Sequence, residues 1–288
     1  MTEKINLGEF YKELRMARGI KQKEVAKGSL TASQLSKFEL GQSMLSADRL
    51  LLAIDGINMT FDEFAHKLND YREPKHIRMG RKIVAAFAYQ DRDSLKVLLD
   101  KLEQEDNHRY ARLNGIVIKN ALHSLDPAYV LLESDKVFIT EYLYAIESWT
   151  WFELYLFCNT MPFFSDQDLL FLGQELLRKS EEFCNLLQNK LYMKQGLLNL
   201  ISEMMERKQF QYVSIFEQAL KDMLGPYDVF EQIVLKYLQK MNYFLQYNGE
   251  NKKEIEDYIQ SLDVIGNEHL LALLTLKLSQ YENLLNKI

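Results

Sequence analysis

Between Gln22 and Lys37 the chain concentrates side chains that donate hydrogen bonds or carry positive charge. Thr31, Ser33, Gln34, Ser36 and Lys37 fall within seven residues, and Arg15, Arg18, Lys21, Gln22, Lys23 and Lys27 stand just upstream. Hydroxyl, amide and ammonium groups at such spacing suit contacts with base edges, while arginine and lysine suit phosphates. Residues 1–41 hold 8 Lys+Arg against 5 Asp+Glu, a net of +3. The whole chain is at −6, which leaves −9 for residues 42–288. A basic segment on an acidic protein is the electrostatic footprint of phosphate binding.

Those side chains need a frame, and the residues between them supply one. Val25, Ala26, Leu35 and Phe38 are the apolar positions of two short helices joined by a tight turn, a helix-turn-helix. Thr31 followed by Gln34 predicts a capping box at the start of the second helix, and Gly41 a residue with positive φ just past its end. The second helix then turns Ser33, Gln34 and Lys37 toward the major groove, with Ser36 also outward and Thr31 and Gln22 on flanking phosphates. Lys37 suits guanine and Gln34 adenine. Arg15, Arg18 and Lys21 are expected to add sequence-independent affinity. Arg15 has a competing role, an ion pair with an acidic residue of the C-terminal part that would couple the two parts.

A first helix over 5–18 carries Leu7, Phe10, Tyr11 and Leu14 near one face. Ser46 is expected to cap a helix through Leu50–Ile54 that stops near Gly56, and Thr60 with Glu63 to open another through Phe64, Ala65 and Leu68. Five short helices make a DNA-binding domain over 1–66. The polar stretch 67–76, with Pro74, is the expected linker.

From residue 77 to 288 the pattern is amphipathic helix almost throughout, over roughly 77–89, 92–105, 108–123, 134–147, 149–160, 166–178, 180–206, 209–223, 227–246, 251–264 and 267–286. Asp91, Asp106-Asn107, Asp126-Pro127, Pro162, Gly225-Pro226, Asn248-Gly249 and Gly266-Asn267 separate the segments. Helix pairs with short loops over more than 200 residues suggest an α-solenoid of TPR-like repeats, with a two-lobed helical bundle as the alternative. Trp149, Trp151, Phe152, Tyr155 and Phe157 cannot share one helical face, so their helix is either interior or lines a groove. On the second reading Trp151 and Tyr155 share a face and Asn159 reaches a ligand backbone. Asn185 with Asn189, and Asn199, offer the same amide chemistry. The last helix pair holds more leucines than one core stripe uses, which makes Leu271 and Leu274 candidates for a dimer surface.

Little in the sequence suggests catalysis, metal or cofactor binding. The histidines His66, His76, His108, His123 and His269 are scattered without metal-ligand spacing, and there is no Gly-rich phosphate loop. Acidic pairs such as Glu181-Glu182 fit solvated helix faces. Cys158 and Cys184 sit among apolar residues as free thiols of a cytosolic protein. No signal sequence and no membrane span are evident. The expected location is the cytoplasm.

Gln22, Ala26, Thr31, Leu35, Glu39 and Gly41 together resemble the Cro/repressor (XRE-type) helix-turn-helix. The connection from Ala26 to Thr31 is a residue shorter than in most of that superfamily, which fits one branch. The runs 14–19, 23–28, 34–39 and 46–50, the chain length and the Trp149–Leu154 run resemble the Rgg/MutR regulators of Gram-positive bacteria. The resemblance implies an all-α fold, a five-helix Cro/repressor-like domain followed by a TPR-like repeat domain. It further implies a homodimer on an inverted-repeat site in double-stranded DNA, controlled by a short apolar signalling peptide, with RNA polymerase as a further partner. For the peptide the expected residues are Trp151, Tyr155, Asn159, Asn185 and Tyr192. The rival from another class is a non-enzymatic repeat scaffold or sequestering protein whose helix-turn-helix is not used for specific DNA binding.

Overall fold

A buried stripe from each of five helices builds the N-terminal core. The computed structural model describes residues 6–73, 75–104, 108–126 and 128–285, apart from the side chains of Lys75, His76, Ala88 and His108, and every regular element among them is a helix. The expected turn residues Pro74, Asp106, Asn107 and Pro127, and the chain before Asn6 and after Leu285, lie outside the described residues. Two compact units form, Met1–Val84 and Ala85–Ile288.

In the first unit α1 is Leu7–Ala17, α2 Gln22–Val25, α3 Ala32–Glu39, α4 Ala47–Asp55 and α5 Phe61–Leu68. Tyr11, Leu14, Val25, Leu35, Phe38, Ile54 and Phe64 form the core, and the Tyr11 hydroxyl donates to Ala53 O at 2.8 Å, tying α1 to α4. The capping boxes at Thr31/Gln34 and Thr60/Glu63 are both formed. Ser46 occupies the N-cap of α4 but makes no side-chain bond to that helix's amides. Gly41 has φ +70°, and its N–H and that of Gln42 close the end of α3 on Phe38 O and Lys37 O. Gly8 lets α1 and α3 approach closely: a Cβ there would stand 1.8 Å from Phe38 O.

Helix α6, Lys75–Ala88, crosses from one unit to the other in sequence. The second unit continues with α7 Arg92–Glu103, α8 His108–Leu125, α9 Glu133–Ala145, α10 Trp151–Cys158, α11 Asp166–Lys179, α12 Leu187–Glu206, α13 Phe210–Met223, α14 Val229–Gln246, α15 Lys252–Ile265 and α16 Glu268–Leu285. Helices α8, α10, α12, α14 and α16 pack side by side in one row, and sequence neighbours pair across to the others, α7 on α8, α12 on α13 and α15 on α16. This is the layering of helical repeats.

Two expectations fail here. The helix expected over 180–206 is broken: Glu181–Phe183 is a 3-10 turn, Leu186 is extended, and α12 begins at Leu187. The cause is tertiary. Lys179 O accepts from Trp149 N at 2.8 Å, and Phe183 N turns instead to Ser180 O, so the helical ladder loses a rung. At the other end of the unit, Leu274 is 2% exposed, and its carbonyl accepts from the Tyr237 hydroxyl at 3.1 Å. It is core rather than surface, and Leu271 is half-buried. The exposed leucines of α16 are Leu273 and Leu276.

Replacing Gly8 by Ala is expected to destabilise the protein by about 1–3 kcal/mol through overpacking, because the Cβ meets backbone that cannot swing aside. Calorimetric unfolding of the full chain would measure it, and an unchanged transition would show that α1 and α3 need not approach so closely.

Candidate functional site

The helix-turn-helix is held by one buried carboxylate. Glu39, the last residue of α3, is 4% exposed. Arg15, in the last turn of α1, grips it with two nitrogens, Nε to Oε1 at 2.6 Å and Nη2 to Oε2 at 2.8 Å. The same guanidinium donates through Nη1 to Ile20 O at 2.5 Å. Gln22, which opens α2, donates through Nε2 to Glu39 Oε2 at 2.7 Å. The three motif helices therefore meet at this carboxylate in a two-pronged, charge-assisted pairing.

This changes the role of two residues expected on DNA. Arg15 is 9% exposed and committed to Glu39 and Ile20, so it does not project to a phosphate. Its acidic partner belongs to its own unit, not to the C-terminal part. Gln22 is half-buried and spends its amide N–H on Glu39. Both hold the end of α3 in place through Glu39. Their signal in the sequence was the joint presence of Gln22 and Glu39 at motif positions, with an arginine one helix upstream.

Gln34 is also partly committed. Its Oε1 accepts from Thr31 N at 3.0 Å while Thr31 Oγ1 accepts from Gln34 N at 3.2 Å. Two-point pairing with adenine needs both the oxygen and the nitrogen of the amide, and the cap holds the oxygen. Ser33 and Lys37 are exposed on the outer face of α3, Thr31 is exposed at its start, and Ser36 is half-buried. Arg18 and Lys21 are exposed, with Arg18 Nη1 also donating to Leu14 O at 3.2 Å. Ser33, Lys37, Thr31, Lys21 and Arg18 thus project outward from the frame that Arg15 and Gln22 hold.

The second candidate site lies on the row of helices in the other unit. α10 is buried almost all round: Leu154, Leu156 and Phe157 are fully buried, as is Trp149 just before it. Its N-terminus is fixed by the Thr150/Glu153 capping box, with Glu153 also receiving the Tyr142 hydroxyl of α9 at 2.6 Å. The remaining face brings three expected residues together. The Trp151 and Tyr155 rings stack at 5.2 Å, and Trp151 meets the Tyr192 ring of α12 edge-on at 5.6 Å. Gly196 lets α12 come close to α10, since a Cβ there would meet Cys158 Sγ at 2.5 Å. Burial of that thiol pushes its pKa up to about 12, leaving it an inert packing group.

Helices α8, α10 and α12 each hold a buried polar atom without a hydrogen-bond partner. The Tyr155 hydroxyl, Asn120 Oδ1 and Asn189 Nδ2 are buried with no hydrogen bond among the described residues. Burial holds the Tyr155 hydroxyl well above the usual tyrosine pKa, with the Tyr192 hydroxyl nearby acting in the same direction, so it remains a neutral donor and acceptor. Asn159 caps α10: its Nδ2 donates to Tyr155 O at 2.7 Å, and its own carbonyl accepts from Asn120 Nδ2 at 2.8 Å. Its amide is therefore tied to backbone. Asn185 is exposed in the break before α12, away from the helical register that would have put it beside Asn189. Of the expected pair Asn185 and Asn189 only Asn189 is buried on α12, and Asn120 of α8 is the amide that meets the end of α10. Asn120 left no sequence signal, since its helix pairs with α10 only through tertiary packing.

Among the described residues no group of three His, Cys, Asp or Glu side chains could hold a metal, and no helix is long and apolar enough to cross a membrane. A polar, outward-facing second helix on a five-helix frame, joined in sequence to a helical repeat unit, defines a helix-turn-helix regulator with a separate repeat domain. Residues 12–64 match the helix-turn-helix domain, and residues 95–275 match the C-terminal domain of the HTH-type transcriptional regulator Rgg. The chain belongs to the Rgg family of transcriptional regulators.

Solved structures share the fold. The SHP pheromone receptor Rgg2 of Streptococcus dysgalactiae superposes with a TM-score of 0.78 at 22% identity, covering 95% of this chain and 99% of that one. A transcriptional-regulator candidate from Listeria monocytogenes EGD-e gives 0.80 at 21%, covering 96% and 97%. PrgX in complex with iCF10 gives 0.66 at 15%, covering 96% of each chain.

Arg15→Ala should cost about 3–5 kcal/mol, because it strands the Glu39 carboxylate in the core. Lys21→Ala, on the exposed face, should stay within about 0.5 kcal/mol of the parent. Chemical denaturation of the two variants compares them directly; equal stabilities would remove Glu39 from its organising role.

Proposed function

We propose that this chain is a non-enzymatic, cytoplasmic, peptide-controlled regulator that binds an inverted-repeat DNA site as a homodimer. The reading helix is α3, with Ser33 and Lys37 on base edges. Thr31 and Ser36 flank them, Arg18 and Lys21 neutralise phosphates, and Gln34 contributes through the cap it forms. The functional domains are 1–66 for DNA and 77–288 for ligand and dimerisation, joined by 67–76. For the dimer surface the exposed Val264, Ile265 and Leu276 replace Leu271 and Leu274.

The observation that carries the ligand reading is the stacked Trp151–Tyr155 pair against Tyr192, with the Tyr155 hydroxyl buried and unpartnered, and the buried, unpartnered amide atoms Asn120 Oδ1 on α8 and Asn189 Nδ2 on α12 add to it. A peptide backbone offers the missing partners: its N–H suits Asn120 Oδ1, and its C=O suits Asn189 Nδ2 and the Tyr155 hydroxyl. Its apolar side chains suit the rings. Support of a second kind is that Rgg2 is described as a pheromone receptor and PrgX has been solved with cCF10 and iCF10. The peptide would act by population shift, favouring one arrangement of the repeats and so changing DNA binding or contacts with RNA polymerase. Moving a 1:99 equilibrium to 99:1 takes about 5.5 kcal/mol of differential affinity.

Two measurements test this reading. Lys37→Ala should weaken operator binding by about 1–3 kcal/mol and relax specificity at one position, whereas Lys21→Ala should weaken all sequences alike and lower the salt slope by about one. Specific binding that survives a Ser33/Lys37 double alanine variant would remove α3 from base reading. Tyr155→Phe should leave the ligand-free protein as stable or more so, since it removes an unsatisfied buried hydroxyl, yet weaken peptide binding by about 0.5–1.5 kcal/mol. Thermal denaturation without ligand reads the first effect and titration calorimetry of the full chain with short apolar peptides the second; unaltered affinity would take the hydroxyl out of the site.

A further inference from the structure

The positive charge of the N-terminal unit does not sit in its helix-turn-helix. Residues 1–71 hold 10 Lys+Arg against 10 Asp+Glu, so that frame is neutral as a whole, and one of its cations, Arg15, is spent on Glu39. The next stretch, 72–82, holds 5 Lys+Arg against 1 Asp+Glu, a net of +4, and residues 83–288 hold 20 against 30. The net charge of the unit therefore comes from the segment expected only to link. α6 carries it on a defined face. Arg78, Arg81 and Lys82 are exposed, and three- and four-residue steps from Arg78 put them on one side of the helix. Ile83 and Ala86 are buried on another side. The chain approaches α6 through a tight turn: Tyr71 N donates to His66 O and Arg72 N to Asn69 O, and the Tyr71 ring meets the His66 ring edge-on at 5.8 Å. Glu73 is the acidic residue of the stretch. Its carbonyl accepts from Arg78 Nη1 at 2.8 Å and its carboxylate pairs with Arg81 at 2.7 Å. The Arg81 side chain is 74% exposed, and a surface pair of that kind is weak and screened by salt, so a phosphate can take the guanidinium from it.

We infer that the exposed basic face of α6, Arg78, Arg81 and Lys82 with Arg72 just before it, is a second DNA-contacting surface that lies on the phosphate backbone outside the bases α3 reads. The inference rests on the DNA reading above and carries the contact surface past residue 66. Sequence-independent affinity for a duplex comes from cations that displace its condensed counterions, and a neutral frame supplies few to spare. α3 offers Ser33 and Lys37 to the bases, and α6 offers charge without base-reading groups. The two belong to one compact unit, Met1–Val84, so a duplex that meets α3 is within reach of the start of α6. An acidic protein surface is the other partner this charge would suit. The acidic second unit already answers several of its carboxylates internally: Asp135 with Arg112 and Lys119, Asp228 with Lys194, and Glu254 with Lys240. Duplex DNA instead presents a dense, unanswered row, one negative charge for about every 1.7 Å of helix axis, which is why the occupant is DNA.

The test titrates the full-length protein into a fluorescein-labelled DNA duplex of mixed sequence, about 30 base pairs long, at salt concentrations from about 50 to 200 mM, where the slope of log affinity against log salt counts the phosphates neutralised. The triple variant Arg78→Gln, Arg81→Gln, Lys82→Gln is expected to flatten that slope by about two to three and to weaken binding more than about tenfold at 100 mM salt. A control variant, Lys208→Gln, Lys236→Gln, Lys253→Gln, removes the same charge from exposed positions of the second unit and should keep the parent's slope. Circular dichroism and sedimentation check that the fold and the mass of the α6 variant match the parent. Arg81→Gln alone, with an expected fall of about one, serves if the triple variant does not fold. An unchanged slope in both α6 variants, an equal fall in the control, or a fall that accompanies a loss of sedimenting mass overturns the α6 surface while leaving the reading of α3 in place. If the parent binds no duplex even at the lowest salt, the DNA reading falls and this inference falls with it.

Discussion

The helix-turn-helix depends on neutralising one carboxylate. Glu39 ends α3, where the helix's own carbonyls carry partial negative charge, and it is almost completely buried. Alone it would cost several kcal/mol. The two-pronged Arg15 and the Gln22 amide offset that cost, and all three groups come from different helices. α3 cannot roll or slide without stranding the charge. Gly8 adds a steric counterpart, since it brings the backbone of α1 onto the end of α3. The outward direction of Ser33 and Lys37 follows from these two constraints.

The repeat unit is built on a different principle. Its row of helices is joined by apolar packing, with ion pairs at the seams: Asp135 of α9 takes Lys119 at 2.7 Å and Arg112 at 3.0 Å from α8. α10 is wedged so fully among its neighbours that Phe157, Leu154 and Leu156 are entirely core. Trp151 and Tyr155 are the part of that helix turned toward Tyr192, and there the packing leaves hydrogen-bonding atoms unanswered. Unsatisfied buried polar groups cost about 1–3 kcal/mol each, and a ligand that supplies their partners recovers that energy on binding.

Much of this was legible in the sequence because it is local. Apolar residues at helical spacing placed nearly all the helices, since periodicity alone decides which side of a helix can be buried. The capping boxes at Thr31 and Thr60 and the positive φ of Gly41 were readable because each involves residues three or four apart. The helix-turn-helix and its basic flank were readable for the same reason, as was the family resemblance they carry. Tyr192 was named with Trp151 and Tyr155 under the family resemblance, and their meeting across α10 and α12 is tertiary.

What tertiary structure decided was where each polar group spends its hydrogen bonds. Arg15 and Gln22 are as polar as Lys37, and nothing in their types announces that a carboxylate 24 or 17 positions away will claim them. The break before α12 came from Trp149 N taking Lys179 O across 30 positions, which moved Asn185 off the helix while Asn189 stayed on it. Leu274 is buried where α16 packs on α14, with the Tyr237 hydroxyl on its carbonyl. In each case the sequence determined what a side chain could do, and a partner distant in the chain determined what it does, because burial makes every polar group find whichever partner the fold brings within reach.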